Sequence, residues 1–594
     1  MNFLSNNFLI ILIVYVLKFL FLEIKLFKSR FNKLIKFIRK ISIIKLIIYF
    51  FDKETLPFRD KNLNEYLKKN KKLWSNNKGI NTKKENILVD LTFEHHPLYA
   101  INNCLIVQEL KKYCNSRTFA IINKYDLLTV FIARSFHVEH IIFYKNKNFF
   151  IKFFYFIKTI FILQKIKDVK NIINYKKDNI EIGKACFEHY IRNYTRKSSV
   201  YNKKNFLLYL SFSKALMDLD RITNIYKKNN FKYFVIAELQ FLPNKIFFQK
   251  ALKSKTLVFA KLAGGLFGFS VRIYKNFKDR NSFKHKFSSE FINFLLKNYK
   301  TLLLKKIQKL SKNLKLEKNI GYDQGYGKFQ QKKKILNFKN KKELDNFFNF
   351  DNNKKNILIA PHVMIDNTFN SEWSVYGSPL HWYEETLKII KNIKDVNWII
   401  KPHPAEISYR TQITAQTIFD REIGNSENIA ILSTSQHINK LHQFISSALT
   451  CHGSAGFEYT TLGVPVVTGS DAKFSNFKFT IAPKSKKEYL KTLKNIKNLQ
   501  RTNKKQKFMA RLYWFLENEL CKLNHNLLIK FDAVRFFDEK KFWFNCNKIT
   551  NKKNLKNDFV ENFKNQFKND NRHTFNYKIL DKRNTFKNQK FDDI

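Results

Sequence analysis

The stretch LTCHGSAGFEYTTLGVPVV, residues 449–467, decides the fold. It begins in an apolar run, SALTC, passes through the loop HGSAG and a short helical segment, FEYTTLG, and ends in a second apolar run, VPVVTG. This order is typical of a β-α-β unit, in which the helix connects two parallel strands of one sheet. The chain has only 14 Gly and 9 Pro in 594 residues. Their concentration in this stretch therefore indicates a loop that needs a specific backbone conformation.

The same alternation continues upstream of this stretch. Three further apolar runs are NILIAP, VNWII and NIAILS, at residues 356–361, 396–400 and 428–433. Ser378 and Pro379 form an N-cap and a first helical turn, which predicts a helix over WYEETLKIIKNI. A second helix is predicted over HINKLHQFIS, residues 437–446. The pattern predicts a parallel sheet with helices on its faces.

An equivalent pattern fills the first half of the chain. Residues 85–144 read as three strands alternating with two helices, and the pattern resumes with YFVIAE at 233–238, a helix at 244–253 and TLVFAKLAGG at 256–265. We therefore predict an α/β protein with two Rossmann-like domains that face a cleft, where ligands bind at the carboxyl ends of the strands. The predicted divisions are residues 1–60 (basic amphipathic helices), 85–285 (first domain, with an insertion), 286–350 (helical connector), 351–545 (second domain and C-terminal helices) and 546–594 (disordered Lys/Asn-rich tail).

The net charge and the cysteine content indicate which classes of partner the protein has. The formal net charge is +61, but the basic residues are spread along the whole chain instead of forming one motif, so an anionic membrane or an anionic substrate is favoured over nucleic acid. The six Cys include no CxxC pair and no zinc-like spacing, which indicates buried, reduced thiols in a cytoplasmic protein without a metal site.

The N-terminal region is predicted to lie on a membrane. Residues 8–22 are apolar apart from Lys18, but as a helix they reach only about 22 Å, against about 30 Å of hydrocarbon. Residues 24–41 form an apolar stripe flanked by Lys and Arg, a pattern typical of helices that rest on anionic headgroups. An ordinary helix packed on the protein's own core is the alternative. A second candidate is residues 149–163, which a buried helix explains equally well.

Two loops carry candidate chemistry. In KPHP, Pro402 and Pro404 hold His403 just past a strand, where the imidazole can contact a phosphate or a base and Lys401 adds charge; alternatively, the imidazole only caps a carbonyl. A set of hydroxyls after NIAILS forms a further polar loop, or alternatively an N-cap: Ser433, Thr434 and Ser435.

The loop HGSAG follows His452 and leads into a helix. Gly453 and Gly456 would allow backbone amides to point into the cleft, Ser454 adds a hydroxyl, and the helix N-terminus favours a diphosphate. Glu458, in the first helical turn, can accept both hydroxyls of a ribose; alternatively, it only complements its own helix dipole.

KPHP followed about fifty residues later by TCHGSAGFEYTTLGVPVV resembles the C-terminal half of GT-B glycosyltransferases of the bacterial capsule-polysaccharide type. That group includes capsular Kdo transferases and, more distantly, polysialyltransferases and CDP-polyol phosphotransferases; the paired serines and downstream Asp of CDP-glycerol transferases are missing. The resemblance covers residues 356–493. It implies a metal-independent enzyme without a cofactor that transfers a sugar, or a sugar-like phosphate, from a nucleotide-sugar donor to a saccharide or lipid-linked acceptor of a surface polysaccharide. The basic N-terminal region adds the prediction that the protein is held at the inner membrane face.

The resemblance also implies roles for individual residues. His403 would contact the donor phosphate or base, Ser454 and the amides of Gly453 and Gly456 the phosphate, and Glu458 the ribose. The base that deprotonates the acceptor should come from the first domain, where the loop at residues 92–99 offers three candidates, unless Pro97 only makes it a rigid surface turn. These candidates are Glu94, His95 and His96. Glu238 and the Gly264-Gly265 turn are further cleft candidates.

Two other functions fit the sequence. A non-hydrolysing nucleotide-sugar epimerase shares the paired cleft, although the basic N-terminus and the lack of a second acidic set near the glycine loop speak against it. A catalytically inactive scaffold of polysaccharide assembly is the other alternative, and the presence of His403 and Glu458 speaks against that.

Overall fold

The structure is a computed structural model of the chain, and it describes most of residues 14–550. Outside the described residues lie 1–13, 16, 20, 22–38, 43, 46, 48–55, 76–84, 93–96, 113, 125, 145–147, 167, 196–204, 262–270, 279–285, 314–333, 367, 370–372, 410, 522–526, 528–537 and 551–594. The predicted amphipathic stripe at 24–41 therefore lies almost wholly outside them, as do the glycine turn at 264–265, residues 314–333 of the predicted connector and nearly all of the predicted tail.

The first sheet has six strands in the order β3-β2-β1-β4-β5-β6. Its strands are β1 Glu85–Asp90, β2 Ser116–Asn123, β3 His140–Tyr144, β4 Tyr233–Ala237, β5 Leu257–Lys261 and β6 Val271–Tyr274. The first five run parallel and β6 is antiparallel to β5. β4 is buried on both faces, as expected for a central strand covered by helices on both sides.

Eight helices accompany the first sheet in the described part of the chain. They are α1 Lys61–Trp74, α2 Pro97–Lys111, α3 Leu127–Ser135, α4 Phe149–Lys165, α5 Val169–Ile173, α6 Ile182–Tyr190, α7 Phe206–Lys228 and α8 Asn244–Lys253, with a π-helical turn at Ile191–Thr195. Two separate apolar clusters cover the two faces of this sheet. The predicted β-α-β-α-β order and the insertion between β3 and β4 are thus present.

The second sheet has five parallel strands in the order β10-β9-β8-β12-β13. The strands of the second half are β7 Lys334–Leu336, β8 Lys355–Ala360, β9 Val396–Ile400, β10 Ile429–Ile431, β11 Gln436–Ile438, β12 Ser447–Thr450 and β13 Val466–Thr468. β7 and β11 form a separate parallel pair. In both sheets the strand order reverses next to the first strand, between β1 and β4 and between β8 and β12.

The remaining helices surround the second sheet or connect it to the first. They are α9 Ser289–Asn313, α10 Lys341–Phe347, α11 Pro379–Ile390, α12 Ala405–Tyr409, α13 Ala415–Glu422, α14 Ala455–Thr461, α15 Lys486–Lys494, α16 Lys504–Phe515 and α17 Glu539–Thr550. The predicted cap of α11 is present, since the Ser378 hydroxyl accepts from the His381 amide at 3.2 Å and Pro379 is the first residue of the helix. α17 returns to the first sheet, where Trp543 is buried beside Tyr66 of α1.

The structure corrects two predictions about elements. Residues 437–446 are not a helix: β11 is followed by a 3₁₀ turn at Leu441–Gln443. The C-terminal tail does not begin at residue 546, because α17 continues to Thr550 and Cys546 is buried. All six cysteines are buried free thiols, as predicted. No helix among the described residues is long and apolar enough to span a bilayer.

Candidate active site

Three histidines meet at the carboxyl edge of the second sheet. His362 follows β8, His403 follows β9 and His452 follows β12, and these three strands are neighbours. The ring centroids of His362 and His452 are 4.3 Å apart, and those of His362 and His403 are 5.9 Å apart. The cluster therefore lies where the strand order reverses, which is the usual ligand position in an open parallel sheet.

The loop of His403 fixes its imidazole by a local bond. The ring Nδ1 accepts from the amide of Ala405 at 3.1 Å, at the start of α12. An imidazole that accepts at Nδ1 carries its proton on Nε2 when neutral, so Nε2 is the donating atom of His403. A ring held in this way can donate to a phosphate or base oxygen without first changing its tautomer.

His452 is held from the neighbouring strand. Its Nδ1 lies 3.0 Å from the hydroxyl of Ser470, and that hydroxyl can donate to the carbonyl of Cys451 at 3.3 Å. When the hydroxyl proton is used in this way, its oxygen accepts from His452 Nδ1. In the neutral ring, Nε2 of His452 is then the basic nitrogen, the opposite tautomer to that of His403.

Lys401 and Glu458 place opposite charges beside the histidines. Burial lowers the pKa of Lys401 to about 8, while Glu458 acts in the opposite direction. Burial raises the pKa of Glu458, against the bond from the Ser454 hydroxyl and the charge of Lys401. The Lys401 ammonium also lies 3.1 Å from Nδ1 of His437. Lys401, His403, His452 and Ser454 thus lie in loops at the same sheet edge, and Glu458 lies in the first turn of α14.

The two glycines of the loop differ from their predicted role. The Gly453 amide donates to the hydroxyl of Thr450 at 3.3 Å, and the Gly456 amide donates to the carbonyl of Gly453 at 3.1 Å. A Cβ at position 456 would lie 2.2 Å from Cζ of Phe474. Both amides therefore donate to acceptors within the loop and not into the cleft. Position 456 is a glycine because the ring of Phe474 leaves no room for a side chain.

The three hydroxyl residues after β10 form a closed turn. Ser433 Oγ lies 2.9 Å from Ser435 Oγ, the Ser435 amide donates to Ser433 Oγ, and the Ser433 amide donates to Gln436 Oε1. Thr434 lies within the same turn. β10 is an edge strand, separated from β8 by β9, so the turn lies beside the histidine cluster instead of within it.

The carboxyl edge of the first sheet also carries charged residues. Asp90 ends β1, Glu238 follows β4 and Lys261 ends β5, on three adjacent strands. Asp90 Oδ1 accepts from the amide and hydroxyl of Thr92, and Oδ2 accepts from Asn244. Because both oxygens are bonded, Asp90 has a structural role in fixing this edge. The predicted bases Glu94, His95 and His96 lie outside the described residues.

Glu238 differs from Asp90 in its surroundings. Its backbone is left-handed, with φ of 56°, a conformation that a non-glycine residue adopts at a cost of about 1 kcal/mol or more. Tyr99 donates to its Oε1 at 3.3 Å, and burial raises the pKa of its carboxyl against the charges of Arg192 and Lys261. Burial also lowers the pKa of Lys261 to about 8. Strained backbone at a strand end is characteristic of functional positions.

A bridge of polar contacts joins the two edges. The Arg192 guanidinium lies 3.5 Å from Asp366 Oδ1, and His362 Nε2 lies 3.8 Å from Asp366 Oδ2. Glu188 accepts from the amide of Phe369 at 2.7 Å. Arg192 also stacks on Phe241, 3.9 Å from the ring centroid. The loop after β8 thus brings the histidine cluster against the π-helical turn that follows α6.

Three residues of this region were not predicted from the sequence: His362, Arg192 and Asp366. The sequence does contain a signal for His362. The run NILIAP is followed directly by His362, much as the run VNWII is followed by Lys-Pro-His. Arg192 lies in the insertion between β3 and β4, and Asp366 lies in the loop after β8. Neither segment contains a recognisable motif. Among the described residues, no group of His, Cys, Asp or Glu has the arrangement of a metal site.

No protein-family model and no curated protein matches the chain. Among solved structures, the chain is similar to the UDP-GlcNAc 2-epimerase from Neisseria meningitidis bound to UDP-GlcNAc, with 10% identity, a TM-score of 0.23 and coverage of 73% of this chain and 99% of that one. The epimerase from Methanocaldococcus jannaschii in complex with UDP-GlcNAc and UDP has 14% identity, a TM-score of 0.24 and coverage of 73% and 99%. KpsC, the beta Kdo 2,4 transferase of Thermosulfurimonas dismutans, has 14% identity, a TM-score of 0.29 and coverage of 48% and 79%. These values are too low to carry an argument about fold or activity.

Proposed function

We propose that the protein is a GT-B glycosyltransferase that transfers a sugar from a nucleotide-sugar donor to a growing surface polysaccharide of the capsular or lipopolysaccharide type. The observation that supports this most directly is the cluster of His362, His403 and His452 beside Lys401, where the strand order of the second sheet reverses. A cluster of imidazoles and an ammonium at that position suits the phosphates of a nucleotide.

The second sheet would bind the donor. His403 donates from Nε2 to a phosphate oxygen, Lys401 balances the phosphate charge, and Glu458 accepts hydroxyls of the ribose. The charge that develops on the leaving nucleotide is stabilised by this fixed set of donors, which is the largest contribution to many transfer reactions. Because these groups already supply positive charge, the proposal needs no metal ion or cofactor.

The first sheet would bind the acceptor. Glu238 is a buried carboxyl with a raised pKa, and a base of this kind accepts a proton from a hydroxyl more readily than an ordinary carboxylate does. The loop residues Glu94, His95 and His96, which follow the neighbouring strand β1, remain alternative bases. In the reaction, the acceptor oxygen bonds to the anomeric carbon, the bond from that carbon to the phosphate oxygen breaks, and the hydroxyl proton passes to the base.

A nucleotide-sugar epimerase is the second candidate. The observation that favours it is the pair of carboxylates Glu238 and Asp366, which both lie near Arg192, because epimerisation requires proton transfer at the sugar. A non-catalytic scaffold for polysaccharide assembly is the third. We further propose that the protein works at the inner face of the membrane, in the cytoplasm, on an acceptor that is a saccharide or is linked to a lipid.

A thermal-shift screen of CMP, CDP, UDP and GDP tests the donor site. We expect one nucleotide to raise the melting temperature, and His403→Ala and Glu458→Ala to abolish that shift. Glu385→Ala is the matched control, because its exposed carboxylate pairs with Lys388 on the surface of α11. Stabilisation by no nucleotide, or equal stabilisation of both variants and the wild type, would contradict the proposed site.

Radiolabelled sugar donors of the selected nucleotide then separate the three functions. Label that moves to an added saccharide acceptor identifies a transferase, conversion of the donor without an acceptor identifies an epimerase, and nucleotide binding without conversion identifies a scaffold. In the transferase case, Glu238→Gln should lower turnover by about a hundredfold or more while nucleotide affinity stays within twofold. Glu385→Gln, which removes an exposed carboxylate paired with Lys388, should change neither.

A further inference from the structure

Helix α4 has two apolar faces, of which only one is covered by the described residues. Its inner face contributes Tyr155, Phe156, Ile160 and Leu163 to the core of the first sheet. Its outer face exposes two large aromatic side chains one helical turn apart, Phe150 at 77% and Phe154 at 61%. The sequence could not distinguish a buried helix from a membrane-facing one at residues 149–163, and within the described part of the chain the helix is buried on one face.

Residues 14–21 extend the same exposed surface. Tyr15 and Phe19 are buried, and the Phe19 ring stacks on Phe156 of α4 at a centroid distance of 5.2 Å. Leu17 and Phe21, which alternate with them, are 61% and 71% exposed. We call Leu17, Phe21, Phe150 and Phe154 the outer apolar face. The two segments that carry it are packed together through Phe19 and Phe156.

The outer apolar face is rigidly supported from beneath. Tyr155 donates to the carboxylate of Asp220 on α7, which also pairs with Lys177 at 3.2 Å. Tyr15 makes edge contacts with Phe206 and Tyr209 of the same helix. α4 therefore cannot rotate to bury Phe150 and Phe154 without losing these contacts.

The charged residues on the two segments that carry the outer apolar face are all positive. α4 contains three lysines and no Asp or Glu, and residues 14–21 contain Lys18 and no acidic residue. On a helical projection, Lys158 and Lys165 fall next to Phe154 on the exposed side. A second copy of this face would bring lysines against lysines. Anionic headgroups, in contrast, would pair with the ammonium groups while the aromatic rings enter the acyl boundary.

We propose that the outer apolar face docks the protein onto an anionic bilayer, with α4 lying in the plane of the headgroups. The inference deepens the proposed location at the membrane and rests on that proposal, but it does not depend on the transfer activity. α4 has 17 residues, about 25 Å of helix, which allows Phe150 and Phe154 to insert side by side while the sheet beneath stays in water.

Flotation of the full-length protein with lipid vesicles tests this inference. We expect binding to vesicles of 70% phosphatidylcholine and 30% phosphatidylglycerol, much weaker binding to pure phosphatidylcholine, and a loss in 0.5 M NaCl. The double variant Phe150→Ser/Phe154→Ser should lower the partition coefficient about tenfold or more, and Lys158→Gln/Lys165→Gln about threefold or more. The matched control is Leu490→Ser/Phe544→Ser, which removes two exposed apolar side chains elsewhere and should bind like the wild type.

The outcomes separate the inference from the broader proposal. Wild-type protein that fails to float with either vesicle overturns both the membrane location and the docking face. Wild-type protein that floats while Phe150→Ser/Phe154→Ser floats equally well overturns the docking face alone. A concentration-dependent dimer that the same double variant abolishes, without vesicle binding, would mean that a second copy covers the face. The nucleotide-induced thermal shift, measured on each variant, confirms that the site and fold are intact.

Discussion

At the scale of single residues, the pKa of Lys401 predicts how the affinity of the site for phosphate depends on pH. It follows β9 directly, lies beside Glu458, and has a pKa lowered to about 8 by burial. A lysine is cationic below its pKa, so its attraction for phosphate is present in full at pH 7 and is lost as the pH rises through about 8.

We expect nucleotide affinity to fall between pH 7 and pH 9, by up to about tenfold per pH unit above the pKa of Lys401. Lys401→Met should bind the nucleotide about ten- to a hundredfold more weakly at pH 7 and should show a flat profile over this range. Isothermal titration with the nucleotide selected by the thermal-shift screen measures both. Parallel pH profiles for the wild type and Lys401→Met would exclude Lys401 as the titrating group.

Residue-level prediction from the sequence succeeded where the fold rule was simple. The carboxyl ends of parallel strands lie along one edge of a sheet, so placing His403 and His452 after such strands predicts loops at the same edge, on either side of β8 and His362. Arg192 and Asp366 could not be found in this way. They meet because the turn after α6 reaches the loop after β8, and a contact between two irregular segments leaves no period or spacing in the sequence.

At the scale of elements, the glycine loop before α14 is fixed by packing. Gly456→Ala would place a methyl group 2.2 Å from the ring of Phe474, itself enclosed by Phe457 and Tyr513. Overpacking of this kind costs about 1–3 kcal/mol. Gly453→Ala is the matched control, because its methyl would meet only the Thr450 hydroxyl, at 3.0 Å. Urea unfolding should therefore show a clear loss for Gly456→Ala and a smaller one for Gly453→Ala; equal stability of the two variants would contradict this.

The wrongly predicted helix at residues 437–446 shows why helical spacing of apolar residues does not by itself determine the backbone conformation. Ile438, Leu441 and Ile445 have helical spacing, and all three are buried in one cluster. The chain achieves this burial without a helix, because Ile438 pairs with β7 and Lys440 then turns the backbone into the left-handed region at φ of 51°. Apolar spacing reports which side chains are buried, and competing strand pairing decides the backbone that buries them.

At the scale of the whole molecule, Glu188 couples the contact between the two halves to pH. It is fully buried, it accepts from the amide of Phe369, and burial raises its pKa to about 7. A carboxyl whose pKa is higher in the folded state than the unfolded value of about 4.5 contributes stability that is present below that value and is lost as the pH rises through about 7.

Glu188→Gln should therefore gain stability relative to the wild type as the pH is raised from 5 to 8, by about 2–3 kcal/mol. Denaturant unfolding at several pH values measures the difference, which isolates Glu188 from other buried carboxyls that titrate in the same range. Glu385→Gln, on an exposed helix face, should show no such trend. A constant difference for Glu188→Gln across this range would show that Glu188 does not titrate there.

Arg272 of β6 contacts residues at both ends of the segment from α9 to α16. It stacks on Phe287, 4.6 Å from the ring centroid, just before α9. Its guanidinium also lies 3.5 Å from Glu517, just after α16. Because one side chain of the first sheet contacts both ends of this segment, we expect the two halves to rotate about Arg272 and not to slide, so that any opening is widest at the points farthest from it.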